Sequence, residues 1–191
     1  MQNPRELFGG FGNRMFQMAY IYSQMKKGLT PDIYVQDFNY FKDYQDEIRS
    51  WFSKDIMKSD FISLHVRRGD YLNNPYYVDL TQTDYYDKAI AEFPNEKFLV
   101  FCADRQTDDT LDQEWVMNWL EAKYGKRFTL NKEFTEIEDF NNMAGCKSHI
   151  IANSSFSWWA SFVGGGKTVA PLQWFADGIN RVTLLDEWQK F

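Results

Sequence analysis

Cysteine and histidine are both scarce in this chain, which has two residues of each in a length of 191. Cys102 and Cys146 each fall inside an apolar or helical pattern, so the sequence predicts two buried, reduced thiols. His149 lies among apolar strand residues and is expected in the core, which leaves His65 as the better functional candidate. A disulfide framework or a cysteine metal site is therefore not indicated.

Long apolar runs are absent as well. No stretch of 18 or more apolar residues occurs, whereas a membrane-spanning helix needs about 20 of them. The chain also lacks the basic-then-apolar pattern of an export signal. We therefore expect a cytoplasmic protein without a transmembrane segment, and peripheral association with a membrane is left open.

Basic residues are outnumbered by acidic ones, since the chain has 21 lysines and arginines against 27 aspartates and glutamates and a net charge of −6. Nucleic acid is therefore not an expected partner, because binding it requires a broad basic surface. No Asp-x-Asp pair occurs, and the glycine-rich segment "GGFGN" lacks the Gly-Lys-Ser/Thr ending of a P-loop. The sequence therefore does not indicate a site in which a divalent metal ion bridges a diphosphate to carboxylates. Any anionic ligand must be held by a local basic cluster.

The composition does provide for a core, since 44% of the residues are hydrophobic and 18% are aromatic. The predicted strands are "FISLHV", which looks apolar on both faces, "KFLVFCA", "RFTLN", "HIIAN" and "KTVAP". The helical patterns between them are "DYYDKAIAEF", "QEWVMNWLEAKYG", "EIEDFNNMAGC" and "SSFSWWASFVGGG". This alternation predicts an α/β fold with a Rossmann-like parallel sheet covered by helices on both faces.

The N-terminal part of the chain has a different pattern. The segment "RMFQMAYIYSQMKKG" predicts a helix that ends near Gly28 and places its apolar residues on one face: Met15, Phe16, Ala19, Tyr22 and Met25. The segment "DFNYFKDYQDEIRSWF" predicts a second amphipathic helix. We therefore divide the chain into a helical N-terminal part, residues 1–60, and a Rossmann-like unit, residues 61–191.

Two arginines follow the first strand of that unit, in the segment "HVRRGDY". Ligands of parallel α/β sheets bind beyond the carboxyl ends of the strands, and arginine grips phosphate oxygens in pairs. Neighbouring residues of an extended chain point to opposite sides, so one of Arg67 and Arg68 should face a ligand. The other should be braced by a carboxylate, with Asp70 as the natural partner. A surface ion pair is the structural alternative, and it would stabilise little.

A second candidate site is the segment "ANSSFSWW". Ser154 and Ser155 fall where a strand passes into a helix, so both are N-cap candidates. The same geometry points backbone N–H groups and two hydroxyls at the cleft, which suits a phosphate. Capping explains either serine, but it does not explain both serines together with Asn153 and the adjacent Trp-Trp pair.

Together these segments describe a cleft that handles a diphosphate leaving group without a metal ion. Charge that develops on a departing phosphate is stabilised by preorganised arginine and by donors at a helix start. Nucleotide-sugar chemistry is the reaction class that needs this arrangement. His65 and Asp70 have the right chemistry for a general base, but a route in which the leaving phosphate takes the proton needs none, and no base is assigned.

Five segments resemble, in the same order, the bacterial α-1,2-fucosyltransferases of glycosyltransferase family 11: "GGFGNRMFQMA", "HVRRGDY", "EDFNNMAGCK", "HIIANSSFSWWASF" and "KTVAPLQWF". The resemblance implies a GT-B type donor-binding domain with a reduced helical N-terminal part on the acceptor side. It implies GDP-fucose as the donor substrate, a glycan acceptor with a galactoside hydroxyl, and an α-1,2 linkage formed with inversion. It implies no cofactor and no metal.

The resemblance also implies roles for particular residues. The catalytic candidates are Arg67, Arg68 and Asp70, and the substrate-binding candidates are Gly10, Gly12, Asn13, His65, Asp139, Asn153, Ser154, Ser155 and Phe156. In this scheme Arg67 contacts the β-phosphate, His65 and Asp139 face the guanosine, and the two serines approach the diphosphate.

Two alternatives stay open. The short N-terminal part also fits a truncated, catalytically inactive relative that binds a guanine nucleotide and acts as an accessory or interaction module. An enzyme that uses a different nucleotide-sugar is the other alternative. The identity of the acceptor glycan is open, and so is a homodimer that completes the cleft.

Overall fold

The computed structural model describes residues 7–29, 36–72, 74–102, 110–132 and 135–191. Within these residues, six strands form one sheet in the order β3-β2-β1-β4-β5-β6, and every neighbouring pair is parallel. The strands are β1 (Ser59–His65), β2 (Phe98–Phe101), β3 (Phe128–Leu130), β4 (Cys146–Ile150), β5 (Lys167–Ala170) and β6 (Gln189–Lys190). The predicted Rossmann-like α/β sheet is confirmed. The strand order reverses between β1 and β4, which is where ligands bind in such sheets.

Six α-helices accompany the sheet in this described part of the chain. They are α1 (Phe11–Lys26), α2 (Gln45–Phe52), α3 (Tyr85–Ala91), α4 (Thr110–Tyr124), α5 (Glu136–Gly145) and α6 (Ser155–Gly164). Each corresponds to a segment predicted as helical, and β1 to β5 correspond to predicted strands. The sequence does not predict β6, because its two polar residues form no apolar run. The division at residue 60 stays a prediction.

The apolar face predicted for α1 is largely correct. Met15, Phe16 and Ala19 are buried, and the chain leaves the helix through Gly28, which has φ +69°. Met25 shares the helical spacing of these residues, but its side chain is 67% exposed in the last turn. Helical spacing predicts which face of a helix a residue lies on, but it does not predict how far along that face other elements pack against the helix.

The segment predicted as a single second helix is divided. Two 3-10 turns, Phe38–Tyr40 and Lys42–Tyr44, precede α2. The side chain of Asp37 accepts a hydrogen bond from the backbone N–H of Asn39 at 2.9 Å. Phe41 has φ −128°, which lies outside the α-helical region. The α-helix is therefore shorter than its apolar pattern indicates.

An aromatic cluster joins α1 and α6. The ring centroid of Phe16 lies 4.7 Å from that of Trp158 and 5.1 Å from that of Trp159. Phe41 stacks on Trp159 at 5.5 Å, and Ile48 of α2 is buried in the same cluster. Such aromatic pairs add to the free energy of apolar burial. The two tryptophans next to the serine segment therefore belong to the core.

The central strand β1 is buried on both faces, but only one face is apolar. Ile62 and Leu64 join an apolar cluster, whereas Ser63 and His65 point to the opposite side of the strand. Ser63 Oγ lies 2.8 Å from Nδ1 of His149, whose pKa is lowered to about 4 by burial. The expectation of two apolar faces is therefore wrong, because a buried polar side chain is tolerated when it is hydrogen-bonded.

Cys102 and Cys146 are buried and form no disulfide, as predicted. Burial raises the pKa of Cys146 to about 11. A thiol that stays protonated at neutral pH is a poor nucleophile, so Cys146 serves packing.

Candidate functional site

A cavity of about 630 Å³ opens beyond the carboxyl ends of the central strands. Small-molecule sites have volumes of roughly 300–1,000 Å³, so a nucleotide-sized ligand suits this space. Of the residues predicted for the site, eleven line the cavity: Gly10, Gly12, Asn13, His65, Arg67, Asp70, Asp139, Asn153, Ser154, Ser155 and Phe156. Arg68 does not line it.

Arg67 is the arginine at the cavity wall. Its Nη2 donates a hydrogen bond to Oδ1 of Asp70 at 2.5 Å, and its guanidinium lies 5.1 Å from the centroid of the Tyr71 ring. The side chain of Arg67 is 23% exposed and that of Asp70 is 53% exposed. The prediction that Asp70 braces the arginine turned away from the ligand is wrong. The tight turn Gly69–Tyr71 brings its carboxylate to the cavity arginine instead.

Arg68 points away from the cavity and is held by α4. Its Nε donates to Oδ1 of Asp112 at 3.0 Å, and its guanidinium lies 3.7 Å from the centroid of the Trp115 ring. The backbone N–H of Gly69 donates to Oδ2 of the same carboxylate at 3.1 Å. The two arginines thus face opposite sides, as expected for neighbours in an extended chain. The bracing carboxylate is 44 positions away in sequence, and no local pattern signals it.

Two helices begin at the cavity. α1 starts after Gly10 and α6 starts after Ser154, and among the described residues neither of these N-cap residues makes a side-chain capping hydrogen bond. Backbone N–H groups at uncapped helix starts favour a bound anion. A Cβ atom on Gly12 would lie 2.4 Å from the carbonyl carbon of Ser155, so a glycine is needed for the two helix starts to touch.

A shared amide fixes these helix starts. Asn13 Oδ1 accepts a hydrogen bond from Ser155 Oγ at 2.7 Å and another from Gln36 Nε2 at 2.7 Å. Two residues predicted separately for the site are therefore direct partners. Gln36 also lines the cavity and is missed by sequence reasoning, because it belongs to no recognisable motif.

His65 and Asn153 are buried polar residues at the ends of β1 and β4, with exposures of 5% and 1%. Among the described residues, His65 Nδ1 and Asn153 Oδ1 have no hydrogen-bond partner. Burial, followed by the charge of Arg67, lowers the pKa of His65 to about 3, so its imidazole is neutral at neutral pH. Because both residues line the cavity, these atoms are suited to hydrogen bonds with a ligand.

Asn153 is held in one orientation by its neighbours. Its Nδ2 donates to the backbone carbonyls of Val78 at 2.9 Å and Trp174 at 3.0 Å. The hydroxyl of Tyr71 donates to the backbone carbonyl of Asn153 at 3.1 Å, and Tyr71 stacks on Tyr77 at 4.0 Å. The segments after β1, β4 and β5 are thus tied together around the cavity.

Another end of the cavity is formed by amides and carboxylates. Oδ1 of Asp139 accepts a hydrogen bond from Asn131 Nδ2 at 2.6 Å, and Asn131 Oδ1 accepts one from Asn142 Nδ2 at 3.1 Å. Lys132 and Glu136 line the same region. Such groups both donate and accept, which suits a heterocyclic base. Sequence reasoning missed Asn131, although its place as the last residue of the predicted strand "RFTLN" is a usable signal.

Two phenylalanine rings, Phe11 and Phe156, form an apolar part of the cavity wall, and the buried Phe140 packs against both. The ring centroid of Phe11 lies 5.2 Å from that of Phe140 and 6.2 Å from that of Phe156. Phe156 also lies 6.3 Å from the imidazole of His65. This surface suits a planar or sugar ring between the polar groups.

Within the described ranges, no three His, Cys, Asp or Glu side chains come together in a way that could hold a metal ion. No helix in the described ranges has the length and apolar character needed to span a membrane. Metal independence and cytoplasmic location both stay predictions.

The strand order, the cavity at its reversal and an arginine beside two helix starts define a Rossmann-like α/β protein with a site suited to an anionic ligand. A family model described as "Glycosyl transferase family 11" matches residues 10–189. The chain therefore belongs to glycosyl transferase family 11, as its motifs predict.

Two proteins of Escherichia coli are similar to the chain. An "O-antigen biosynthesis glycosyltransferase WbnK" is 28% identical over 194 residues, which cover 86% of this chain and 61% of that protein. An "Alpha-1,2-colitosyltransferase" is 29% identical over 164 residues, which cover 73% of this chain and 54% of that protein. The chain thus spans less than two thirds of the length of either relative. No solved structure matches the chain.

Proposed function

We propose that the chain is an inverting glycosyltransferase that moves fucose from GDP-fucose to a galactoside hydroxyl and forms an α-1,2 linkage without a metal ion. The observation that carries this proposal is that Arg67 and the uncapped start of α6 line one cavity. Family membership supports a glycosyl transfer. The motifs that resemble α-1,2-fucosyltransferases support the donor, and the name of the α-1,2-colitosyltransferase relative supports the linkage.

In the proposed transfer reaction, the main task of the protein is to stabilise the negative charge that develops on the leaving phosphate. The acceptor oxygen bonds to the anomeric carbon as the bond from that carbon to the β-phosphate oxygen breaks, and the electron pair of the broken bond moves to the phosphate. Arg67 and the N–H groups at the start of α6 stabilise the resulting charge. The acceptor proton passes to the leaving phosphate. His65, with a pKa of about 3, is too weak a base for this role at neutral pH.

The nucleotide extends from these groups toward the other polar end. Its diphosphate lies against Arg67 and the helix starts, and its guanine reaches the group formed by Asp139 and Asn131. Nδ1 of His65, which has no hydrogen-bond partner among the described residues, provides a hydrogen bond to the nucleoside between the diphosphate and the guanine. This placement uses the donor half of a GT-B architecture.

Two other functions remain as specific rivals. A colitosyl donor is favoured by the name of the second relative. A guanine-nucleotide-binding module without transferase activity is the other rival, since the groups that line the cavity suit a nucleotide whether or not a sugar is transferred.

Calorimetry followed by a transfer assay separates these functions. We expect GDP to bind at least about tenfold more tightly than UDP, since only guanine matches the hydrogen-bonding groups near Asp139. We expect labelled fucose to pass from GDP-fucose to lactose in the presence of EDTA. GDP binding without transfer or donor hydrolysis would favour the binding module. Transfer of colitose but not fucose would favour the second donor, and equal affinity for UDP would contradict guanine recognition.

A further inference from the structure

The loop after β1 is held from α4 by one carboxylate. Asp112 accepts hydrogen bonds from Arg68 Nε at 3.0 Å and from the backbone N–H of Gly69 at 3.1 Å, one on each oxygen. The side chains of Arg68 and Asp112 are only 11% and 22% exposed. A charge-assisted hydrogen bond shielded from water is stronger than the median surface ion pair.

An aromatic stack covers the other side of this arginine. The Trp115 ring lies 3.7 Å from the guanidinium of Arg68, and it stacks on Trp119 at 5.7 Å and 14°. Trp119 packs against Tyr86 at 5.7 Å, and the Tyr86 hydroxyl donates to the backbone carbonyl of His65 at 2.8 Å. The segment from residue 65 to residue 69 is therefore fixed on both sides of Arg67.

Arg67 itself has a more exposed partner. Its carboxylate partner Asp70 is 53% exposed, against 22% for Asp112. The turn that follows requires Gly69, which has φ +55°, a conformation that other residues rarely adopt. The direction of Arg67 into the cavity thus depends on how its neighbours Arg68 and Gly69 are held.

We propose that Asp112 is a positioning residue for phosphate recognition, acting through Arg68 and Gly69 to hold Arg67 at the β-phosphate of the donor. This inference rests on the proposed function, since it assumes that Arg67 contacts a nucleotide diphosphate. Preorganising a charged donor lowers the entropic cost of binding. Loss of the Asp112 carboxylate should therefore weaken binding of the β-phosphate and leave binding of the rest of the nucleotide unchanged.

The test compares GDP with GMP, which lacks the β-phosphate. Calorimetry on the full chain gives the ratio of the two dissociation constants, and this ratio measures the contribution of the β-phosphate. We expect Asp112→Ala to reduce the ratio about fivefold or more, while GMP affinity stays within about twofold. Asp112→Asn keeps an oxygen for the Gly69 N–H and should give an intermediate ratio, which also provides a readout if the alanine variant does not fold.

The matched control is Asp87→Ala on α3, whose carboxylate contacts the opposite end of α4 from Asp112. Asp87 accepts hydrogen bonds from Lys123 at 2.9 Å and Tyr124 at 2.7 Å, far in sequence from the arginine loop. It should lower thermal stability without changing the GDP to GMP ratio. An unchanged ratio in both Asp112 variants, or an equal fall in Asp87→Ala, would overturn the positioning role. A wild-type chain that binds GDP and GMP equally would overturn the diphosphate assignment of Arg67, and the inference with it.

Discussion

The two polar ends of the cavity are built from different groups. At one end the guanidinium of Arg67 lines the cavity together with two helix starts, and among the described residues neither N-cap residue makes a side-chain capping hydrogen bond. At the other end side chains predominate, with Asp139 and Asn131 joined by a hydrogen bond of 2.6 Å. The first arrangement stabilises negative charge on a ligand, whereas the second recognises a pattern of hydrogen-bond donors and acceptors. Charge stabilisation and base recognition should therefore be separable by mutation.

The strongest test of this contrast is Arg67→Ala. We expect transfer from GDP-fucose to fall by at least about 100-fold, because one preorganised donor to the leaving group is lost. Affinity for GDP should approach that for GMP, and circular dichroism should show an intact fold. Arg181→Ala is a matched control, since Arg181 likewise pairs with a nearby aspartate, Asp177, and lies 4.9 Å from the centroid of an aromatic ring, that of Phe175. Transfer retained in Arg67→Ala would contradict the role of this arginine.

The next test concerns the contact between the two helix starts. We expect Gly12→Ala to lower the free energy of unfolding by about 3 kcal/mol, because the new methyl group would overlap the backbone at Ser155. Urea unfolding measures this change. Gly10→Ala is the control, since a Cβ there has no neighbour within 4 Å, and it should cost no more than about 1 kcal/mol, the penalty for alanine as an N-cap residue. Equal stability of the two variants would show that the helix starts are not in contact.

A third test uses acid to examine the strand end beneath Arg67. The folded-state pKa of His65 is about 3, below the ordinary value of 6.5, so the unfolded chain binds the extra proton first. Stability from this residue is complete above about pH 6.5 and is lost as the pH falls toward 3. Between pH 7 and pH 5 we expect the loss to be about 2 kcal/mol.

Urea unfolding of His65→Gln at both pH values provides the measurement. The variant should lose about 2 kcal/mol of the pH dependence and retain the part that comes from His149, whose pKa is also lowered by burial. An identical pH dependence in the variant and the wild-type chain would mean that the imidazole of His65 is accessible to protons in the folded state.

The smallest expected effect lies at the amide-rich end. Asp139→Asn should weaken GDP binding about tenfold and leave UDP binding and the GDP to GMP ratio unchanged, because it removes one charged acceptor for the base. Competition calorimetry with the three nucleotides gives these values. Glu138→Gln, on the same helix, is the control. If the GDP to GMP ratio fell in Asp139→Asn, the two ends of the cavity would not be independent.

The fold was largely predictable because its signals are local. Apolar runs and helical spacing depend on residues within one or two turns of each other, and they identified five strands and all six helices of the described part. The misses have tertiary causes. Phe41 interrupts the predicted second helix, Met25 extends beyond the packed part of α1, and β6 exists only through pairing with β5.

The sequence predicted which residues line the site, but it did not predict which side chains and backbone groups these residues contact. Arginine, serine and glycine motifs at strand ends and helix starts identified the cavity lining, since the carboxyl ends of parallel strands meet at one edge. The partner of Arg68 was misjudged, because Asp112 lies on a helix far along the chain. The contact of Gly12 with the backbone at Ser155 was likewise beyond any local pattern.

The sequence by itself determined the alternation of strands and helices, the family, and the motifs that carry polar groups to the end of the sheet, because each of these is encoded in short stretches. Only the tertiary structure decided which of the two arginines faces the cavity and which carboxylate holds the other. It also decided which buried atoms of His65 and Asn153 have no hydrogen-bond partner among the described residues. These depend on how distant segments pack, and the direction of a side chain follows from the neighbours that packing supplies.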